Sequence, residues 1–199
     1  MSQVMTKEKS IIFSGPGVRA IIEGRKTQTR RLARKPVKHP DYGNLCAPGA
    51  LTLECEPQHV IDRCCPYGAP GDRLWVREVS AECTKGGGHI IYKADNEGIG
   101  TCHVHGGRWR SPIHMPRWAS RILLEVAEVR VERLQDVSEE DAIAEGFSPS
   151  KIDDGCALHH YSAARYFHAA WNELNGKRAP WESNPWVWAI AFKVLEVRT

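Results

Sequence analysis

Apolar and polar positions follow distinct periods along this chain, and the change from one period to the next marks out its elements. Residues 11–23, "IIFSGPGVRAIIE", predict a short strand, a Gly/Pro turn and a short helix. Pro16 suits a first helical turn, Val18, Ile21 and Ile22 give an apolar face, and Gly24 can end the helix. Residues 36–71 are rich in Pro, Gly and Cys without a regular period, and predict a long irregular excursion. In "GDRLWVREVSAE" a turn at Gly71-Asp72 precedes a strand, with Leu74 and Val76 alternating against Arg73, Trp75 and Arg77. "HIIYKAD" (89–95) predicts a further strand.

A second irregular patch, "GGRWRSPIHMPRW", leads into "SRILLEVAEVRVERL". There Ile122, Leu124 and Val126 alternate, and Val129 and Val131 resume one residue out of phase, as a bulge or bend would require. "SEEDAIAEG" carries a helix signal: Ser138 and Asp141 in capping-box spacing, acids in the first turn, and Gly146 as the stop. "YSAARYFHAAWNELNG" predicts a longer helix with Ala163, Phe167, Ala170, Trp171 and Leu174 near one face and Gly176 at its end. The final strand, "WVWAIAFKVLEV", places Trp188, Ile190, Phe192 and Val194 on one side. Several strands, few helices and no strand–helix alternation predict an α+β protein on a curled sheet or small barrel.

With 199 residues the chain suits one domain with insertions, at approximately 36–70, 96–118 and 147–180. No apolar run approaches a membrane span, and "MSQVMTKEKS" lacks the core of a secretory signal, so a cytoplasmic protein with reduced thiols is expected. A net charge of +3 is too small to imply nucleic acid, but its distribution is uneven. From Arg19 to Lys38 there are eight Lys or Arg residues and one acid, Glu23, whereas Asp136 to Glu145 holds five acids and no base. Arg30, Arg31 and Arg34 suit phosphate oxygens, which guanidinium forks bind bidentately. The competing reading is that the acidic stretch pairs with the basic one inside the fold.

The order of these pieces, "GRKTQTR" after a helix, then "GDRLWVRE", then "SEEDAIAEG", then "WVWAIAFK", resembles the ASCH domain, a relative of the PUA fold. The resemblance covers the framework of most of the chain, and "CPYGAPGDRLWVRE" and "SPIHMPRWASR" look like the longer bacteriophage and prophage versions. It implies a PUA-like (ASCH) small β-barrel with flanking helices and long irregular insertions, and a link to RNA metabolism. Small ASCH proteins include amidohydrolases that remove the acetyl group from N4-acetylcytidine. Their catalytic lysine, threonine three residues later and glutamate at the end of the acidic helix fall here on Lys26, Thr29 and Glu145.

The residue types fit that chemistry. Amide cleavage needs a nucleophile, a base for its proton and a stabiliser for the oxyanion. Lys26, with its pKa lowered by Arg25, Arg30 and burial, would activate Thr29, and Glu145 would orient the lysine or pass a proton to the leaving amine. No metal or organic cofactor is required. The blander assignment is that Lys26 contacts a phosphate, Thr29 is a strand residue and Glu145 a salt-bridged helix acid.

Four tryptophans, Trp75, Trp171, Trp186 and Trp188, sit in strand or helix patterns and are expected in the core. Trp109, Trp118 and Trp181 lie near Arg108, Arg110, Arg117 and Arg178, an arrangement suited to stacking on an unpaired base or to anchoring a loop. Arg25, Arg30, Arg31, Arg34, Arg77, Trp109, Arg117 and Trp118 are thus the expected substrate-binding set. Cys46, Cys55, Cys64 and Cys65, with His103 and His105, do not have the spacing of a compact zinc module.

Expected partners are RNA or a modified nucleoside or nucleotide, with DNA as an option and no membrane. Three alternatives stand beside the hydrolase: a non-catalytic nucleic-acid-binding module, a ribonuclease using histidines such as His103, His105 and His114, and a phage protein docking a host protein.

Overall fold

The computed structural model describes residues 7–82, 89–95, 108–153 and 158–198. Its elements run β1 (Glu8–Ile12), α1 (Gly15–Ile22), β2 (Gln28–Leu32), β3 (Val37–Lys38), β4 (Leu45–Cys46), α2 (Pro48–Leu53) and α3 (Gln58–Cys64). They continue as β5 (Arg73–Arg77), β6 (Ser80–Glu82), β7 (Ile90–Tyr92), β8 (Ile122–Arg133) and α4 (Glu139–Ala144). The last are β9 (Ser150–Asp153), β10 (Leu158–Tyr161), α5 (Ala163–Asn175) and β11 (Trp186–Val197).

Five strands make the main sheet, in the order β1-β5-β8-β11-β2. The β1–β5 pair is parallel and the other three are antiparallel. The α+β expectation holds, but among the described residues the sheet does not close into a barrel. Its edge strands β1 and β2 share no backbone ladder among the described residues, and a side chain bridges them instead. Arg31 Nη2 donates to the Ile12 carbonyl at 2.6 Å, and the same guanidinium lies 4.9 Å from the centre of the Phe13 ring.

Two apolar clusters sit on opposite faces of β11. Trp188, Ile190 and Phe192 join Ile11, Leu74 and Leu124 on one side, while Val187 joins Leu134, Phe167 and Trp171 under α5 on the other. Burial of both faces explains why "WVWAIAF" is apolar without a gap. The phase slip in β8 is a bulge: Ala191 pairs with Glu128 and Phe192 with Val126, so Ala127 is the extra residue.

Three expectations need correction. The excursion at 36–71 contains two helices, α2 and α3, which are too short to show a helical period. Both dock on β8, with Thr52 Oγ1 donating to the Val131 carbonyl at 2.9 Å and Gln58 Nε2 to that of Val129 at 2.7 Å. On α5, Ala163, Phe167 and Trp171 are buried but Leu174 is 70% exposed, so the buried stripe ends one turn early. Trp75 and Trp186 are half-buried rather than core: Arg77 and Arg117 stack on the first, and Arg133 on the second.

Candidate functional site

Lys26 lies where three distant elements meet. Its amide donates to the Ala20 carbonyl at the end of α1 (2.9 Å), and it forms an antiparallel bridge with Glu145 just after α4. Next along, the Thr27 amide donates to Ala144 O and the Thr27 carbonyl accepts from the Phe192 amide in β11, both at 2.8 Å. The local sequence enforces this course. Ser138 Oγ accepts from the Asp141 amide at 3.1 Å, capping α4 at one end. Gly146, at φ +94°, reverses the chain at the other. A Cβ on Gly146 would stand 3.1 Å from that of Ala20 and 3.2 Å from that of Lys26, so the close approach requires glycine.

Lys26 and Glu145 are both buried. Lys26 Nζ donates to Glu145 Oε2 at 2.6 Å and to the Glu145 carbonyl at 2.8 Å. Burial pushes the lysine pKa below its ordinary value; Glu145 opposes this, and Arg31 and Arg30 reinforce it. The acidic helix thus pairs with the basic segment inside the fold. Arg30 goes further in this direction, since its fully buried side chain binds Glu132 Oε1 at 2.5 and 2.9 Å and Asp141 Oδ2 at 2.7 Å. Asp141 also accepts from Gln28 (3.0 Å) and Arg130 (3.1 Å). Its carboxyl is partly desolvated, but the Gln28 hydrogen bond and the Arg30 and Arg130 guanidinium groups outweigh that and bring its pKa down to about 2.

Arg30 is therefore an interior ion-pair residue, not the phosphate contact expected of it. Arg34 donates to the Arg178 carbonyl at 2.5 Å, and Arg25 to Glu23 and to the Gly146 carbonyl, both at the surface. Arg31 is the cation that joins Lys26. The two lie over one ring, with Lys26 Nζ 5.8 Å from the centre of Phe13. Burial pushes the Arg31 pKa down, against the influence of Tyr67 and Glu145. Strand alternation puts Thr29 on the same face of β2 as Arg31. Thr29 is buried and its backbone is paired with Ile190, but among the described residues its side chain makes no hydrogen bond.

Three polar atoms here are buried without a hydrogen bond: Glu145 Oε1, Arg30 Nη1 and Arg31 Nε. Glu145 Oε1 and Arg30 Nη1 face each other at 3.6 Å, beyond hydrogen-bond length, so hydrogen-bonding capacity is left unused beside Lys26.

The other expected contacts lie elsewhere. Arg77 stacks on Trp75 at 4.6 Å, and Arg117 binds both carboxylate oxygens of Glu8 at 2.7 and 3.0 Å. Trp118 is 67% exposed, and Trp109 buries its Nε1 without a partner. His103 and His105 lie outside the described residues. Among the described residues no group of three potential metal ligands is found, and no helix is long and apolar enough to cross a membrane.

Sequence reasoning missed Phe13, Tyr67, Gln28, Arg130 and Glu132. The alternation "RVE" in β8 marks Arg130 and Glu132 as sharing a face, and that was the available signal.

No family model matches the chain, and no curated relative matches it. Among solved structures it is similar to the crystal structure of protein EF3133 from Enterococcus faecalis V583, a DUF984 protein. The similarity spans 99% of this chain and 80% of that one, at 10% identity and a TM-score of 0.41.

Proposed function

We propose that this chain is an ASCH-type, PUA-like protein that recognises RNA or a modified nucleobase at the Lys26–Glu145 pair, and that it hydrolyses an N4-acyl group from a cytidine-type nucleoside. The observation that carries this reading is the buried Lys26–Glu145 contact beside Glu145 Oε1 and Arg31 Nε, which make no hydrogen bond, with Thr29 on the strand face of Arg31.

Neutral Lys26 takes the proton of Thr29 Oγ as that oxygen attacks the acyl carbon. The carbonyl π electrons move onto oxygen, and the Arg31 guanidinium stabilises the oxyanion. Collapse expels the exocyclic amine, which receives a proton through Lys26 and Glu145. Water then hydrolyses the threonyl ester, releasing the carboxylic acid. Lowering the lysine pKa by burial serves this scheme, since a permanently charged ammonium accepts nothing.

One observation favours a second reading, a binding module without turnover. Lys26 Nζ is engaged by two acceptors, both of them on Glu145, and Thr29 is not among its partners in the described residues.

The deciding experiment is chromatography of N4-acetylcytidine incubated with the protein and with Lys26→Ala and Thr29→Ala. Turnover by the natural chain that falls by a factor of about 10² or more in both variants supports the hydrolase. Turnover surviving in both removes the site assignment. No turnover at high protein concentration favours the binding module.

A further inference from the structure

A lysine held at 2.6 Å by a buried carboxylate ordinarily keeps its proton, because losing it strands a buried charge without a counter-ion. Lys26 therefore needs a second cation on Glu145 before it can act as a neutral base. Arg30 is placed to be that cation. Its Nη1 stands 3.6 Å from Glu145 Oε1, the oxygen that Lys26 does not grip, and its side chain is fully buried. Three elements fix it there. Glu132 in β8 and Asp141 in α4 hold its other nitrogens, and the Phe167 ring of α5 is centred 5.7 Å from the guanidinium carbon.

The charges around this junction point the same way. Lys26, Arg30, Arg31 and Arg130 stand with the acids Glu132, Asp141 and Glu145. With Lys26 charged, positive charge is in excess; with Lys26 neutral, the arginines and the carboxylates match in number. Lysine is the one cation of this group that can shed its proton, since arginine stays charged. Glu128 also approaches Arg130, at 3.8 Å, but it is 58% exposed and solvent screens it. Among the described residues, the other groups packed against Lys26 carry no charge: Ala20 from α1, the Phe13 ring, and Phe192 of β11, edge-on to Phe13 at 6.1 Å. Arg25 and Glu23, near it in sequence, pair with each other at the surface.

We infer that Arg30 is a positioning residue of the Lys26 site: it serves as the permanent counter-ion of Glu145, so that Lys26 can release its proton without leaving a bare carboxylate in the interior. The inference rests on the reading given under Proposed function, in which neutral Lys26 takes the proton of Thr29. It gives the inward turn of Arg30 a chemical purpose beyond joining β2 to β8 and α4. Arg30 attends Glu145 from beyond hydrogen-bond length, so Oε2 stays with Lys26 and the two cations do not compete for one oxygen. Arg31 has a different task, since its Nη2 is engaged by the Ile12 carbonyl.

The test is a pH titration by NMR of protein carrying carbon-13 at lysine Cε and glutamate Cδ. Lys26 is assigned by its absence in Lys26→Ala and Glu145 by its absence in Glu145→Gln. In the natural chain Lys26 is expected to lose its proton below the ordinary lysine value of about 10.4, while Glu145 keeps the signal of a carboxylate. Arg30→Gln should raise the Lys26 midpoint by about 1 pH unit or more. Arg30→Lys, which retains a cation, should bring it most of the way back. A merely structural role for Arg30 would change stability and leave the midpoint alone. Arg25→Gln, which removes a surface cation adjacent in sequence, is expected to leave it too. An unmoved midpoint in folded Arg30→Gln, or an equal rise in Arg25→Gln, overturns the inference. Should Arg30→Gln fail to fold, the natural chain decides. A Lys26 midpoint at or above about 10.4, or the signal of a protonated Glu145 at neutral pH, overturns the inference equally. The two readings fail separately. A chain whose Lys26 midpoint depends on Arg30 but which leaves N4-acetylcytidine intact retains the positioning role and loses the hydrolase. A chain that cleaves the nucleoside with the midpoint unmoved by Arg30→Gln does the reverse.

Discussion

Arg30 Nη1 stands 3.6 Å from Glu145 Oε1, both buried and neither hydrogen-bonded. A pair of opposite charges this close, yet beyond hydrogen-bond length, keeps its attraction while leaving a donor and an acceptor unused. Arg30 can remain there because Glu132 and Asp141 already hold its other nitrogens. Glu145, gripped through Oε2 by Lys26, presents only Oε1. The ion-pair network thus sets the direction in which the free oxygen points.

The first prediction concerns Arg31 and the pH dependence of turnover. Arg31 depresses the pKa of Lys26, so Arg31→Gln removes a repelling cation and lets that pKa rise. Activity that depends on neutral Lys26 increases with pH, on a limb below the ordinary lysine value of about 10.4. In Arg31→Gln the limb moves to higher pH, and a kcat/KM–pH profile reads the displacement. A limb that stays in place would remove Lys26 as the titrating base.

Asp141 supplies the second. Its pKa is depressed to about 2, below the ordinary aspartate value of about 3.9, so its stabilising contribution is fully present above the unfolded-state pKa. That contribution is lost as pH falls through about 4 towards about 2. The shift corresponds to at most about 2 kcal/mol. Asp141→Asn should lower stability near neutrality and flatten its pH dependence in this window, as followed by urea denaturation from pH 5 to pH 2. Parallel curves for the two proteins would contradict the assignment.

Gly146→Ala is the third. An alanine at φ +94° is strained, and its Cβ would press on Ala20 and Lys26. The expected cost is about 1–3 kcal/mol, read as a lower urea midpoint. Because the obstruction falls on Lys26 itself, any turnover should drop further than this loss of stability explains. A variant of unchanged stability and activity would show that the turn relaxes freely.

Legibility in the sequence followed the length of each pattern. The bulge in β8 could be read because five apolar positions keep their alternation on both sides of Ala127. Capping of α4 by Ser138 was visible because the cap and its acids are adjacent. The helices α2 and α3, six and seven residues long, span fewer than two turns and leave no period to detect. At the site, Lys26, Thr29 and Glu145 were named from a motif, and the structure brings Lys26 and Glu145 into contact. What no local pattern could show is that Arg30 turns inward while Arg31 faces Phe13. Neighbouring arginines on a strand point to opposite sides, and which side is interior depends on strands made much later in the chain.

That last point bears on how the site is assembled. In the sheet order β1-β5-β8-β11-β2, the second strand made is held by the last described one. Until β11 is in place between β8 and β2, Thr27 has no Phe192 amide to meet, while the Lys26 contact spans 119 residues to Glu145. A growing chain therefore carries its lysine and threonine long before they are organised. The peptide that carries Lys26 and Thr29 is thus fastened on both sides, to the turn after α4 and to the last strand of the sheet.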